Sequence, residues 1–181
     1  MQGSMMHMPL LISSLIQHAE RHHPEQEIVS RRVEGDIHRT TYKQLASRAR
    51  QLANAMAARG LQQGQRIATL AWNGYRHLEL YYAVSGSGAV LHTINPRLHP
   101  DQVTYIADHA EDTTLFFDLT FLPLVEQIAH RVKTIKTFVA MIDKANMPAS
   151  TSIPNLLCYE DVIAEGSDAF VWPQLDENHA S

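Results

Sequence analysis

The sequence predicts an α/β fold: a mostly parallel sheet flanked by helices, preceded by a small N-terminal helix and a β-hairpin. Three observations carry this reading. Four short apolar runs, at 67–71, 89–94, 114–117 and 137–142, start 22 to 25 residues apart. Such runs suit strands buried on both faces, as in parallel sheets. Each gap between them is long enough for the crossover helix that a parallel connection requires.

The elements follow in order. Leu11, Leu15, Ile16 and Ala19 recur at helical spacing, with Pro9 suited to the first turn, so an amphipathic helix is expected to end before Pro24. Residues 27–30 and 37–40 are β-prone and flank Glu34-Gly35-Asp36, which predicts a hairpin. Thr41 followed by Gln44 is a capping box, which opens a helix over 41–59. Tyr42, Leu45, Ala49, Leu52 and Met56 form its apolar stripe, Lys43, Ser47 and Arg50 its opposite face, and Gly60 ends it.

The crossovers are expected at 75–85, with Asn73 as N-cap, at 100–110, and at 120–129. In the second, Pro100 sits in the first turn and Val103, Ile106 and Ala110 face inward. Past residue 143 the pattern weakens. Pro148 and Pro154 bracket a Ser/Thr-rich loop, 159–163 suits a short helix, and 166–181 reads as irregular. The chain is therefore expected to form one α/β subdomain over 1–181: a helical arm at 1–24, the hairpin and βα units at 25–143, and an irregular lead-in at 144–181.

Composition narrows the function classes. Of 181 residues, 45% are apolar and 19% charged, with a net charge of −4, which excludes wholesale disorder. Arg31-Arg32 is the tightest basic cluster, too small for a nucleic-acid partner. Cys158 is the single cysteine, so no intrachain disulfide or thiolate cage forms, and a cytoplasmic location is expected. The apolar stretch at 9–12 lacks a basic flank and is broken by Ser13 and Ser14, so no signal peptide is expected. No run approaches the roughly 18 apolar residues of a membrane-spanning helix.

Chemistry is sparse. In such folds ligands gather at the carboxyl ends of strands, here Asn73-Gly74, Asn95-Pro96-Arg97 and Asp118. The eight glycines form neither G-x-G-x-x-G nor G-x-x-x-x-G-K-[ST]. Gly86-Ser87-Gly88 precedes a strand and reads as helix packing or a turn. His18 and His22, four apart with His23 beside them, could share a helix face but lack an evident third ligand and read as solvated surface histidines. His92 reads as a hydrogen-bonded core histidine, Cys158 as packing, and Asp108, Glu111 and Asp112 as solvated turn carboxylates. Arg97 alone is retained among strand-end charges, either for a ligand or as a loop anchor through an ion pair or backbone carbonyls.

These residues carry a family resemblance. Thr41-Tyr42-Lys43-Gln44-Leu45 is similar to the T-Y-x-x-L signature of adenylate-forming (AMP-binding) enzymes. Gly60-x-x-x-Gly64-Gln65-Arg66-Ile67-Ala68 resembles their G-x-x-x-G-D-x-V-A, and Asn73 the asparagine after that strand. The run from Gly88 to Leu98, with Asn95-Pro96, resembles the G-A-V-x-x-x-x-N-P-x-L of fatty-acyl-CoA synthetases. The likeness runs over about 11–181.

The resemblance implies the N-terminal subdomain of the acyl-CoA synthetase-like fold. It further implies a parent ligase that uses ATP, Mg and CoA to turn a fatty acid into acyl-CoA through an acyl-adenylate. The family's phosphate-binding loop with its lysine, its later acidic and aromatic motifs and its C-terminal catalytic lysine have no match here. No catalytic, cofactor-binding or metal residue is therefore expected in this chain, which by itself is expected to be inactive. Residues 176–181 resemble the lead-in to that loop. Self-association through the N-terminal segment is expected from the same resemblance, and from apolar surface left bare on half of an α/β unit. Two other readings are a non-catalytic interaction module that keeps the fold and a small flavodoxin-like ligand binder. An in-frame glycine-rich loop after Ser181 separates the first from a ligase, and a bound flavin or nucleotide spectrum identifies the second.

Overall fold

The structure, a computed structural model, describes residues 3 and 8–181. The first part of the expected N-terminal arm, residues 1, 2 and 4–7, lies outside the described residues. Helix α1 spans Ile12–His22, strands β1 Glu27–Arg31 and β2 Ile37–Thr41 form an antiparallel hairpin, and α2 spans Tyr42–Ala58. There follow β3 Arg66–Leu70, α3 Tyr75–Gly86, β4 Val90–Thr93, α4 Pro100–His109, β5 Thr114–Phe117 and α5 Leu122–Ile128. Strands β6 Thr137–Ala140 and β7 Leu156–Cys158 and helix α6 Tyr159–Ala164 complete the described chain.

The sheet is parallel throughout, in the order β4-β3-β5-β6-β7. The chain leaves β3 for β4 on one side and resumes with β5 on the other. That reversal creates a crevice at the carboxyl ends of β3 and β5, as in flavodoxin-like folds. The expected parallel α/β sheet is present, with a fifth strand. β7 lies in the stretch read from sequence as irregular, because three residues after Pro154 are too short to show a period.

Strand residues divide between two cores by the period-two rule. Ile67, Phe116 and Val139 pack under α2, α3 and α6 with Leu52, Leu80 and Tyr159. Ala68, Leu70, Leu115, Phe117 and Phe138 pack with Val103 of α4 and Val125 of α5 on the other face. Helix α1 lies outside α2 and α3, joined through Ile16, Leu45 and Ala46.

Local chemistry explains the boundaries. At the start of α2 the Gln44 N–H donates to Thr41 Oγ1 at 3.3 Å, and the Thr41 N–H donates to Gln44 Oε1 at 3.0 Å. The chain leaves α2 through Gly60 at φ +91°, a left-handed conformation that glycine adopts freely.

Several expectations are corrected. Leu15 is 59% exposed, because α1 turns Ser13 and Ile16 inward instead. Pro9 lies ahead of that helix, whose N-cap is Leu11. Arg50 is not on a free face: it grips Glu20 of α1 through Nη1 at 2.7 Å and Nη2 at 2.9 Å. Gly74, not Asn73, is the N-cap of α3 and contributes no side-chain bond. In α4 Val103 and Ile106 do pack on the core, but the next fully buried residue is Ala107, and Ala110 is the C-cap.

Candidate functional site

Two polar constellations sit at the carboxyl end of the sheet. The first lies at the strand reversal. Asp118 follows β5, is 7% exposed, and its Oδ2 accepts the Trp72 N–H at 2.7 Å. Burial pushes this carboxyl up to about 6, against the pull of the Trp72 hydrogen bond. His77, in the first turn of α3, is also buried, and burial lowers its pKa. Its Nδ1 lies 3.2 Å from the Trp72 carbonyl, which can only accept. The proton therefore resides on Nδ1, and Nε2 accepts from the Thr69 hydroxyl at 3.1 Å. The Trp72 ring, half exposed, tilts against Phe121 at 5.1 Å.

The second constellation is a ladder of ions joining the hairpin to three helices. Arg48 of α2 donates from Nε to Glu79 Oε1 at 2.6 Å and from Nη2 to Glu160 Oε2 at 3.0 Å. Arg76 of α3 donates from Nε to Glu160 Oε1 at 2.9 Å and from Nη1 to Glu34 Oε1 at 2.8 Å. Glu34 belongs to the hairpin loop, where Arg32 grips Asp36 through Nε at 2.7 Å. Both side chains of the Arg76–Glu34 pair are almost fully buried, at 5% and 6% exposure. Burial of this depth makes each partner dependent on the other.

Tyr75 lies within the ladder. Arg76 stands over its ring at 4.9 Å and His38 stacks on it at 3.8 Å. Burial lifts the Tyr75 phenol to about 12 and, aided by the nearby arginines, lowers His38. The Tyr159 hydroxyl, fully buried, lies 2.8 Å from Glu79 Oε2. The ladder holds the hairpin across the strand ends. Its arginines face carboxylates, and it presents no activated nucleophile.

The structure places the residues singled out from sequence as follows. His92 meets Asp112 at 2.8 Å, as a hydrogen-bonded histidine should. Asp112 is a correction: it is fully buried, with its carboxyl raised by burial, and not a solvated turn residue. The chain turns it inward through Glu111 at φ 56°, which no composition rule signals. Asp108 accepts the Lys133 N–H at 2.7 Å and so anchors a loop, while Glu111 is exposed. Arg97 is exposed and has no ion pair among the described residues; the loop is fixed instead by Asn95 Oδ1, which accepts the Arg97 N–H at 3.0 Å. Cys158 is buried, with Sγ 3.3 Å from the Ile142 carbonyl. His18 and His22 lie on the exposed face of α1 with ring centroids 4.5 Å apart.

No group of three or more His, Cys, Asp or Glu side chains converges to hold a cation among the described residues. At the reversal, Asp118 accepts the Trp72 N–H through Oδ2 alone. Sequence reading missed Glu34, Arg48, Arg76, Glu79 and Trp72. Arg76 and Glu79 carried one signal: two opposite charges three apart in a helix whose other positions are mostly apolar.

Fold and site define a doubly wound α/β domain whose hairpin is ion-locked over the carboxyl ends of its strands. The family model for AMP-binding enzymes matches residues 16–174, and the chain belongs to that family. Over all 181 residues it is 51% identical to a 3-methylmercaptopropionyl-CoA ligase of Ruegeria lacuscaerulensis, covering 33% of that protein. It is 48% identical, again over 181 residues and 33% of the relative, to a medium-chain-fatty-acid–CoA ligase of Ectopseudomonas oleovorans. The chain thus spans about a third of the length of the curated relatives it matches. The crystal structure of the anthranilate CoA ligase AuaEII in complex with anthranoyl-AMP aligns with a TM-score of 0.78 at 18% identity. That match covers 97% of this chain and 32% of that one, and it shows the fold. No helix among the described residues is long and apolar enough to cross a membrane.

Proposed function

We propose that this chain is the N-terminal α/β part of an ATP-dependent fatty acyl-CoA ligase, which converts fatty acid, ATP and CoA into acyl-CoA, AMP and diphosphate through an acyl-adenylate. The observation that carries this is identity of 48–51% along the whole chain to two acyl-CoA ligases, each about three times its length. Adenylation makes a carboxylate reactive by giving it a good leaving group, and the charge on the phosphates needs cationic or metal stabilisation. This chain contributes scaffold to that reaction. Its residues 1–181 act as one subdomain, and the groups that bind ATP, Mg and CoA and carry the chemistry lie in sequence outside it. The cytoplasm is the proposed location, consistent with one buried free cysteine.

The test compares two proteins in ATP–diphosphate exchange with a medium-chain fatty acid. The 181-residue chain is expected to give no substrate-dependent exchange, and the protein extended in frame through the glycine-rich loop and C-terminal domain is expected to exchange. Exchange by the short chain, or none by the extended one, overturns the reading.

Self-association through the N-terminal segment is part of the same proposal. Met8, Leu10, Ile12 and Leu15 are exposed, Leu10 by 86%, on one stretch of α1 and its approach. Light scattering of a Leu10→Ser, Leu15→Ser protein is expected to show a smaller assembly than the parent. Equal masses across concentration count against it.

A further inference from the structure

The end of α1 carries three histidines that neither the core nor the ion ladder uses. His18, His22 and His23 are all exposed. His18 and His22 stand four apart in a helix of 11 residues, so their side chains rise from one face, one above the other. Among the described residues no other helix carries two histidines at this spacing. The inner face of α1 is already committed: Ile16 is buried against Leu45 and Ala46 of α2, and Glu20 is held by Arg50. The helix is thus fixed to the domain on one side while its imidazoles face outward.

Distance decides what the pair can hold. An imidazole nitrogen binds a first-row divalent ion at about 2.0–2.1 Å, which puts the ring centre about 3.2 Å from the metal. Two rings on one ion then stand about 4.5 Å apart at a right angle and about 5.2 Å apart at the tetrahedral angle. The His18 and His22 ring centroids are 4.5 Å apart. That is the separation of neighbouring positions in a square-planar or octahedral site, the geometries of copper(II) and nickel(II) rather than of structural zinc. His23, with its ring 6.0 Å from that of His18, stands outside this spacing.

The setting favours a cation. His22 is the last residue of α1 and His23 its C-cap, where the helix dipole leaves partial negative charge. Arg21 opposes this, but it is exposed and its charged head can turn into water. No three ligands converge here among the described residues, so the protein supplies two and water the rest. Two are enough for a chelate, because the helix makes the second imidazole's binding intramolecular.

We propose that His18 and His22 form a chelating site for nickel(II) or copper(II), with water in the remaining positions. The site lies on the outer face of α1, and the inference does not rest on the ligase reading. Exchange activity of the extended protein and metal binding by this chain can each fail without the other.

The chain has eleven histidines, so the readout must resolve them singly. The experiment titrates histidine-labelled chain with nickel chloride and, separately, magnesium chloride, following each histidine Cε1–H resonance. Nickel is expected to broaden His18 and His22 together, saturably and ahead of the other histidines, and magnesium, which prefers oxygen ligands, to leave them unmoved. His18→Gln and His22→Gln change exposed side chains and are each expected to weaken nickel by at least about tenfold, the loss of a chelate. Gln17→His combined with His18→Gln keeps the number of histidines but sets the pair five apart, and the same loss is expected. His23→Gln is expected to stay within about twofold of the parent. The proposal is overturned if His18 and His22 broaden no earlier than the other histidines, if magnesium moves them equally, or if the respaced protein binds as the parent does. A loss from His23→Gln as large as that from His18→Gln also overturns it.

Discussion

Arg48 of α2 and Glu79 of α3 form a two-pronged ion pair, Nε to Oε1 at 2.6 Å and Nη2 to Oε2 at 3.2 Å, with the Glu79 side chain 1% exposed. Burial raises the Glu79 carboxyl, and the Arg48 charge and the hydrogen bonds from Arg48 and Tyr159 pull it back without cancelling that rise. Removing one partner strands the other in a dry site. Arg48→Ala is expected to lower unfolding stability by about 3 kcal/mol in urea titration. Replacing both, Arg48→Met with Glu79→Leu, is expected to recover most of that loss. A single-variant loss near zero would mean that water reaches Glu79 and the pair contributes little.

Asp118 gives the chain a pH signature whose sign is fixed by its raised pKa. Unfolded, this carboxyl titrates near its usual value of about 3.9. Folded, it titrates at about 6, because burial penalises the charge. Between those values the native state binds more protons than the unfolded one, so stability falls as pH rises and the benefit is gone above about 6. The loss is about 3 kcal/mol at most. Asp118→Asn keeps an acceptor for the Trp72 N–H and removes the charge. It is expected to flatten stability between about pH 4 and 6 and to raise it at neutral pH. An unchanged slope in chemical denaturation across that range would assign the dependence elsewhere.

The legible and illegible parts of this molecule divide by range. Helix α2 was readable because Thr41, Gln44 and the Leu45–Ala49–Leu52–Met56 stripe are neighbours in sequence, and capping and periodicity are local rules. Strands β3, β5 and β6 were readable because both faces are buried, and the half-buried edge strand β4 through its apolar run at 89–91. β7 was not, because three residues carry no period. The ion ladder was invisible for a different reason. Glu34, Arg76 and Glu160 lie 42 and 84 residues apart along the chain, and nothing local marks which charges a sheet will bury. Asp112 failed similarly: it sits next to exposed Glu111 in sequence, and one left-handed residue turns it inward. Positions explained by capping and turning also carry the family resemblance, which is why the family was recognisable where its chemistry was not.

The capping box at the head of α2 is open to direct measurement. Thr41→Ala removes the acceptor for the Gln44 N–H and is expected to cost about 1 kcal/mol, whereas Thr41→Ser retains it. Gln44→Ala removes the reciprocal bond and also the partner of the Thr40 hydroxyl, 3.1 Å away. Thermal unfolding of the three variants should rank Ser as near parent and both Ala variants below it. Equal stability of Thr41→Ala and parent would show that water satisfies the helix end.

Gly166 supports a sharper test, because its neighbour is backbone. A Cβ placed there would lie 1.9 Å from the Gln51 carbonyl oxygen and 2.8 Å from its carbon, where the chain leaving α6 crosses α2. Immediately beyond, the Ser167 N–H donates to Asn54 Oδ1 at 3.0 Å and Arg50 Nε donates to the Asp168 carbonyl at 2.9 Å. The same segment then lays Trp172 over Gly86 and Leu175 over Gly88, where added Cβ atoms would meet those side chains at 2.6 and 2.8 Å. Gly166→Ala must therefore push the end of α6 off α2 and loosen the attachments that follow. The expected loss is about 3 kcal/mol, with a red shift in the emission of Trp172. Gly86→Ala is expected to cost less, since a ring can swing where a helix backbone cannot. Gly60→Ala, at φ +91° with nothing within 4 Å, isolates the conformational cost alone, about 1 kcal/mol. If Gly166→Ala proves as mild as Gly60→Ala, α2 and the α6 exit are not in the close contact that leaves room for glycine alone.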